Sequence, residues 1–220
     1  MALNPWFAEL PPRNQRALLA AAERITLRTG EMLYRQGDLP GGFFGVVKGS
    51  FKVSTLREDG KEGILSVVEA GNWLGEISIF DRLTRPHDVT ALESAEVLLV
   101  GRGEFDRLMA SPVFARAMSV LLANRVRLLY SLVEDAMLRS ISIRVARRLM
   151  ALAHGDVTQA RDWRPVVPVS QEQLAMMMGV TRQTLSKELK ALERDGVLVV
   201  GYGRIEIRSV VALRARSGLS

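Results

Sequence analysis

Arg182, Gln183 and Lys187 stand one and four residues apart within the stretch Val169-Ser170-Gln171-Glu172-Gln173-Leu174-Ala175-Met176-Met177-Met178-Gly179-Val180-Thr181-Arg182-Gln183-Thr184-Leu185-Ser186-Lys187-Glu188-Leu189-Lys190-Ala191-Leu192. A guanidinium can hold guanine through O6 and N7, a carboxamide both donates to and accepts from a base edge, and an ammonium neutralises phosphate. At helical spacing Gln183 and Lys187 share an outward face with Ser186 and Lys190, Arg182 stands on its shoulder near the N-terminus, and Leu185, Leu189 and Leu192 take the opposite face. Upstream, Ser170 can cap a helix over Gln171–Met178, small Ala175 lets a second helix approach, Gly179 permits a tight turn, and Val180 with Leu185 fills the angle. The spacing predicts a helix-turn-helix over Ser170–Leu192. Glu188 occupies a position usually apolar in such a motif, a departure that Leu189 can cover. Val197–Val200, a turn at Gly201-Tyr202-Gly203, and Arg204–Ile207 then predict a β-hairpin wing. Two packed helices of no particular purpose would explain the apolar pattern, but not the outward charges or the hairpin.

A second constellation is Gly75-Glu76-Ile77-Ser78-Ile79-Phe80 followed by Arg85-Pro86. Backbone amides at Gly75 and Glu76 and the fork of Arg85 can hold a phosphate, and the Glu76 carboxylate can accept from a ribose hydroxyl. An ion pair between Glu76 and Arg85 would explain the same residues without a ligand.

Other chemistries are short of residues. There is no cysteine, which removes disulfides, thiolate nucleophiles and iron–sulfur clusters held by cysteine, and the only histidines are His87 and His154. The chain lacks a metal-spaced His pair, a Gly-x-Ser-x-Gly elbow and a phosphate-loop Gly-x-x-x-x-Gly-Lys, so an enzyme is not expected. No metal site is expected either. With 48% apolar and 25% charged residues over 220 positions, the composition is that of a folded globular protein. Met1 is followed by no basic n-region and no apolar run of spanning length, which predicts a cytoplasmic protein with no membrane partner. The formal charge is +6, and all of it falls on residues 140–220, where 13 Lys and Arg face 7 Asp and Glu. A basic module beside a neutral one suits a polyanion, and equally a solvated surface.

The elements that must position these residues follow from periodicity. Residues 11–24 place Leu18, Leu19 and Ala22 at helical spacing. From about 26 to 100, short apolar runs (Phe43–Val47, Phe51-Lys52-Val53-Ser54, Ile64–Val68, Val97–Val100) alternate with glycine-marked turns, which predicts an antiparallel sandwich or barrel. After Ser111-Pro112 a helix runs to Arg139, with Met118, Leu122, Arg125, Leu129, Leu132 and Ala136 on a heptad seam able to pair with its own copy. A charge at Arg125 in that seam needs a partner from a ligand or the other subunit. Ser140 and His154 cap a second helix, Ile141–His154, closed by Gly155.

In this order the elements and the Ser170–Leu192 stretch resemble the cyclic-AMP receptor protein and fumarate–nitrate reduction regulator (CRP/FNR) superfamily over nearly the whole chain. The resemblance implies an α+β fold: an N-terminal double-stranded β-helix (jelly roll) of cyclic-nucleotide-binding type over 1–110, a dimerisation helix over 111–139, and a C-terminal winged helix-turn-helix over 140–220. It implies a homodimeric, sequence-specific transcription regulator on a palindromic operator of double-stranded DNA, gated by a small ligand and working with RNA polymerase. By it, Arg182, Gln183 and Lys187 fall on base-reading positions and Ser170, Gln171 and Thr181 near phosphates, with Thr184 and Ser186 completing the DNA-binding set. Gln183 departs from the family's glutamate and would favour adenine or tolerate several bases.

For the effector, the resemblance assigns Gly75, Glu76, Ile77, Ser78, Arg85, Pro86, Arg125, Leu129 and Tyr130. Three departures bear on it. Pro86 stands where a hydroxyl residue with an N–H is usual, and Leu129 and Tyr130 stand where hydroxyls meet adenine. Three effector readings stay open: cyclic AMP bound weakly or differently, another ligand such as cyclic di-GMP with Tyr130 stacking on a base, or none. A ligand-independent regulator and a nucleotide-binding interaction module without DNA contact are the alternatives in function.

Overall fold

A computed structural model describes residues 4–56, 58, 60, 62–156 and 163–218. The chain divides into two compact units, 1–55 with 65–126, and 56–64 with 127–220. Among the described residues no helix is long and apolar enough to cross a membrane.

In the first unit, α1 (Pro5–Glu9) is capped by Asn4, whose side chain accepts from Phe7 N at 3.2 Å, and α2 covers Pro12–Ala20. The sequence predicts this second helix as far as Arg24. It stops at Ala20 because Ala22–Leu27 form β1, paired antiparallel with Val100–Ala95 of the later strand β8. Cross-strand pairing of a whole strand outweighs a weak helical spacing.

The strands β2 (Met32–Tyr34), β3 (Gly42–Lys48), β4 (Ser50–Leu56), β5 (Glu62–Glu69), β6 (Trp73–Leu74), β7 (Asp88–Ala91) and β8 (Ala95–Gly101) complete the eight. They form two four-stranded sheets, ordered β1-β8-β3-β6 and β2-β7-β4-β5. The alternation of chain order between the two sheets is that of a jelly roll, as the sequence leads one to expect. Its core is aromatic: Trp6, Phe7, Phe43, Trp73, Phe105 and Phe114 pack together, with the Phe43 and Trp73 rings stacked at 5.0 Å. The short helix α3 (Glu76–Asp81) follows β6, and α4 (Arg102–Met109) follows β8.

Helix α5 runs unbroken over Pro112–Leu138. Phe114, Met118 and Leu121 are buried against their own unit, so Met118 is not available to a second chain as the heptad spacing had it. Farther along, Val126, Leu129, Tyr130, Val133, Met137 and Leu138 are exposed, an apolar stretch unusual for solvent.

In the second unit, α6 (Ile141–Ala153) is capped by Ser140 and ends at His154. It packs with α7 (Gln171–Met178), α8 (Arg182–Arg194) and α9 (Val210–Ser217), and with a three-stranded sheet ordered β10-β11-β9, made of Leu198–Gly201, Arg204–Ile207 and Val166–Val167. Val145, Leu149, Leu174, Leu185, Leu189 and Ile205 are at the centre of this core.

Candidate functional site

The helix-turn-helix forms because each local choice agrees. The Ser170 hydroxyl accepts from Gln173 N at 3.1 Å and the Gln173 carboxamide oxygen accepts from Ser170 N at 2.9 Å, a reciprocal capping box that starts α7. Gly179 then turns the chain at φ 64°, a conformation that costs side chains with a Cβ. Thr181 caps α8, accepting from Thr184 N at 3.2 Å, and the two hydroxyls lie 2.9 Å apart. Leu185, Leu189 and Leu192 are buried, while Arg182, Gln183, Lys187 and Lys190 are exposed. Ser186 and Glu188 are half-buried on the flanks. The Ser170 hydroxyl is used as an acceptor, which leaves its proton free to donate outward.

The wing is tied to this helix. Val200 N on β10 donates to the Glu193 carboxylate at 3.0 Å, and Tyr202 stands fully exposed at the hairpin tip. Gln171 is half-buried and Thr181 exposed at the two helix starts.

The structure redistributes the C-terminal charge. Three arginines of α6 are internal: Arg144 donates to the last carbonyl of α7, that of Met178, at 3.0 Å; Arg147 holds Asp135; Arg148 forms a two-pronged pair with Asp156 at 2.8 and 2.9 Å. Part of the +6 that suggests a polyanion is therefore spent on folding, while Arg182, Lys187, Lys190 and Arg194 of α8 stay exposed, as do Arg204 and Arg208 around the wing.

In the first unit, Glu76 opens α3 and is buried, and its carboxylate pairs with Arg125 of α5, whose Nη2 also donates to the Trp73 carbonyl. The ion pair between Glu76 and Arg85 that the sequence allows is not formed, and the partner that Arg125 needs comes from its own chain. Arg85 is 2% exposed. It donates from Nη1 to the Gly75 carbonyl at 2.9 Å and from Nη2 to the Gly42 carbonyl at 2.7 Å. Its Cζ lies 4.3 Å from the Tyr34 ring centre and 5.5 Å from that of Phe44. Gly75 is required there: at φ 93° a Cβ would come within 2.9 Å of both Arg85 Nη1 and the Gly42 oxygen.

Electrostatics agree with this geometry. Burial pushes Arg125 down to about 10, with Tyr34 opposing, so it stays charged near neutrality. Burial likewise lowers Arg85, against Tyr34 and Asp38, and raises the Tyr34 phenol, against Arg85 and Arg125.

Of the residues expected around the effector, Gly75, Glu76, Arg85 and Arg125 come together. Ser78 is buried and donates to the Thr84 carbonyl at 3.2 Å, Ile77 is 47% exposed, and Pro86 is exposed with no N–H to offer. Leu129 and Tyr130 lie about one turn beyond Arg125 on α5, 60% and 73% exposed. Sequence reading missed Tyr34, Phe44 and Gly42. They come from β2 and β3, some 40 to 50 positions before Arg85, and carry no local signal. Toward a cyclic nucleotide, Arg85 Nε is a buried donor without a hydrogen-bond partner among the described residues, which suits a phosphate oxygen, whereas the Glu76 carboxylate, the expected ribose acceptor, is already paired with Arg125. Among those residues no cluster of His, Cys, Asp or Glu could hold a metal.

A jelly roll with this cassette, a long helix and a winged helix-turn-helix define a class. Residues 24–111 match the family model of the cyclic nucleotide-binding domain, and residues 143–216 that of the Crp-like helix-turn-helix domain. The chain belongs to the CRP/FNR superfamily and is a transcription regulator of that kind, with a DNA-binding helix-turn-helix. It is 28% identical over 211 residues to the cyclic AMP receptor protein of Thermus thermophilus, across 96% of this chain and 95% of that relative. In fold it is similar to FixK2 from Bradyrhizobium japonicum, with a TM-score of 0.79 and 20% identity over 90% of this chain and 98% of that one. It is similar also to the c-di-GMP responsive global regulator CLP of Xanthomonas campestris, with a TM-score of 0.74 and 21% identity over 91% of this chain and 100% of that one.

Proposed function

We propose that this chain acts in the cytoplasm as a homodimeric regulator that sets α8 of each subunit into the major groove of a palindromic operator. The observation that carries the reading is the division of α8, with Leu185, Leu189 and Leu192 buried and Arg182, Gln183 and Lys187 exposed on its other face. Arg182 holds guanine, Gln183 meets the neighbouring base, Lys187 adds a base or phosphate contact, and Ser170, Gln171, Thr181, Thr184 and Ser186 hold the backbone. The exposed apolar stretch from Val126 to Leu138 supports pairing with a second copy. RNA polymerase is the expected further partner, and the chain itself is not an enzyme.

Selection from random duplexes tests this reading. The expected product is an inverted repeat with a guanine in each half-site, the half-sites about 34 Å apart. Recovery of no inverted repeat, or oligonucleotide binding that does not fall with salt, overturns it.

The second part of the proposal is the effector. A cyclic-nucleotide-like ligand seated at Gly75, Glu76 and Arg85 competes for groups that already have partners, shifts Arg125 on α5, and so biases the winged domain through population shift. The T. thermophilus relative is named for cyclic AMP and the X. campestris structure for cyclic di-GMP, so both are candidates here. Titration calorimetry with each nucleotide separates them; no heat from any favours a ligand-independent regulator.

A further inference from the structure

Arg85 is buried, with hydrogen-bond partners at two of its three nitrogens. Its Nη1 and Nη2 are spent on the Gly75 and Gly42 carbonyls, and the Tyr34 ring covers its face at 4.3 Å with the Phe44 ring beyond it at 5.5 Å. Its Nε is buried and has no hydrogen-bond partner among the described residues. An unpaired buried donor on a cation is costly, and the edge that carries it suits an anion oxygen.

Tyr34 is placed to decide whether an anion gets there. It ends β2, where its register shifts against Val89 of β7, and its ring lies 5.7 Å from that of Phe44. We propose that Tyr34 is the gate over Arg85: its ring covers the guanidinium face and holds it against the two carbonyls, and a ligand phosphate reaches the guanidinium only once the ring turns aside. The inference deepens the effector reading above and rests on it.

The class of ligand follows from what the gate removes. Turning Tyr34 away loses a cation–π contact and the covering of apolar surface, so the incoming anion has to carry an aromatic or apolar body that replaces both. A phosphate ester of a nucleoside meets that condition. Inorganic phosphate does not, and is refused. Tyr34 is thus a positioning residue that selects ligands through Arg85.

The test uses the full chain as wild type, Tyr34→Leu and the conservative Tyr34→Phe. Phenylglyoxal labelling of Arg85, read by peptide mass mapping, reports the cover directly, and calorimetric titration with cyclic AMP, cyclic GMP and cyclic di-GMP reports admission. Tyr34→Leu is expected to speed labelling of Arg85 and to tighten the nucleotide that binds, each by about tenfold, the size of one desolvated cation–π contact. Tyr34→Phe keeps the ring and restores wild-type behaviour in both. Labelling that stays slow in Tyr34→Leu, or is equally fast in Tyr34→Phe, overturns the gate. Faster labelling with no nucleotide bound by any variant supports Tyr34 as the cover and overturns the cyclic-nucleotide reading instead. Tyr34→Met, which fills the space with a flexible chain, repeats the comparison if the leucine variant does not fold.

Discussion

Arg147 of α6 donates from Nη1 to the Asp135 carboxylate of α5 at 2.7 Å, across the Arg139–Ser140 junction, and from Nε to the Ser217 carbonyl of α9 at 2.9 Å. One side chain from the middle of α6 thereby ties down the C-terminal ends of α5 and α9, with the two charged groups 17% and 13% exposed. The junction between the long helix and the winged domain is held by a specific bond and not by a loop alone. Asp135→Asn keeps the shape and removes the charge, and should lower stability by about 2 kcal/mol. Urea denaturation of the single and double variants with Arg147→Gln measures the coupling, and additive losses would show that the pair does not act as a unit.

Inside the winged domain, the Arg148–Asp156 pair is 6% and 3% exposed. Removing one partner strands the other charge in the core. Asp156→Ala should cost about 3–5 kcal/mol, more than replacement of both residues by apolar ones of similar volume. Denaturation midpoints decide the order; a single variant as stable as the double one contradicts it.

Gly75→Ala forces a Cβ against Arg85 Nη1 and the Gly42 carbonyl, in a backbone conformation that side chains avoid. The expected loss is about 1–3 kcal/mol, with Arg85 displaced from its carbonyls. Thermal unfolding checks the first part and phenylglyoxal labelling of Arg85 the second. Wild-type values in both would show that the loop gives way freely.

His87 is partly buried, which holds its imidazole below the ordinary 6.5, with Asp88 opposing. A lowered folded-state value means that protonation favours the unfolded chain. Stability is therefore full above about pH 6.5 and is lost as pH falls through that point towards the folded value. Urea denaturation from about pH 8 to about pH 5 should show a steeper decline in the wild type than in His87→Gln; equal slopes would remove His87 as the cause.

On the proposed DNA face, Arg182→Lys exchanges a planar fork for a point charge and should lose about 1–3 kcal/mol of preference for guanine while leaving non-specific affinity nearly intact. Gln183→Glu should move the neighbouring preference towards cytosine, whose N4 donates. Competition binding with single-base operator variants reads both. A uniform loss across all sequences would make Arg182 a phosphate contact.

Much of the architecture was legible because it is local. Ser170 with Gln173, Gly179 and Thr181 with Thr184 are contacts within four residues, and the leucines of α8 share one face by helical periodicity alone. The jelly roll was legible as short runs between glycines, although the helix read through to Arg24 gave way to β1 once β8 was there to pair with it. Arg125 shows where such reading stops. A charge in an apolar seam called for a partner outside the chain, and the partner is Glu76, some 50 positions away.

The basic C-terminal balance behaves likewise: it pointed towards DNA, yet Arg144, Arg147 and Arg148 turn inward. The sequence by itself determined the class of protein, the helix-turn-helix and the outward face of α8, since these depend on neighbours three and four residues apart. Only the tertiary structure decided that Tyr34 and Phe44 cover Arg85, that Glu76 belongs to Arg125, and that Asp135 holds Arg147. Those pairings are made by strand order and helix packing, which bring distant residues into contact without leaving a mark in the local pattern.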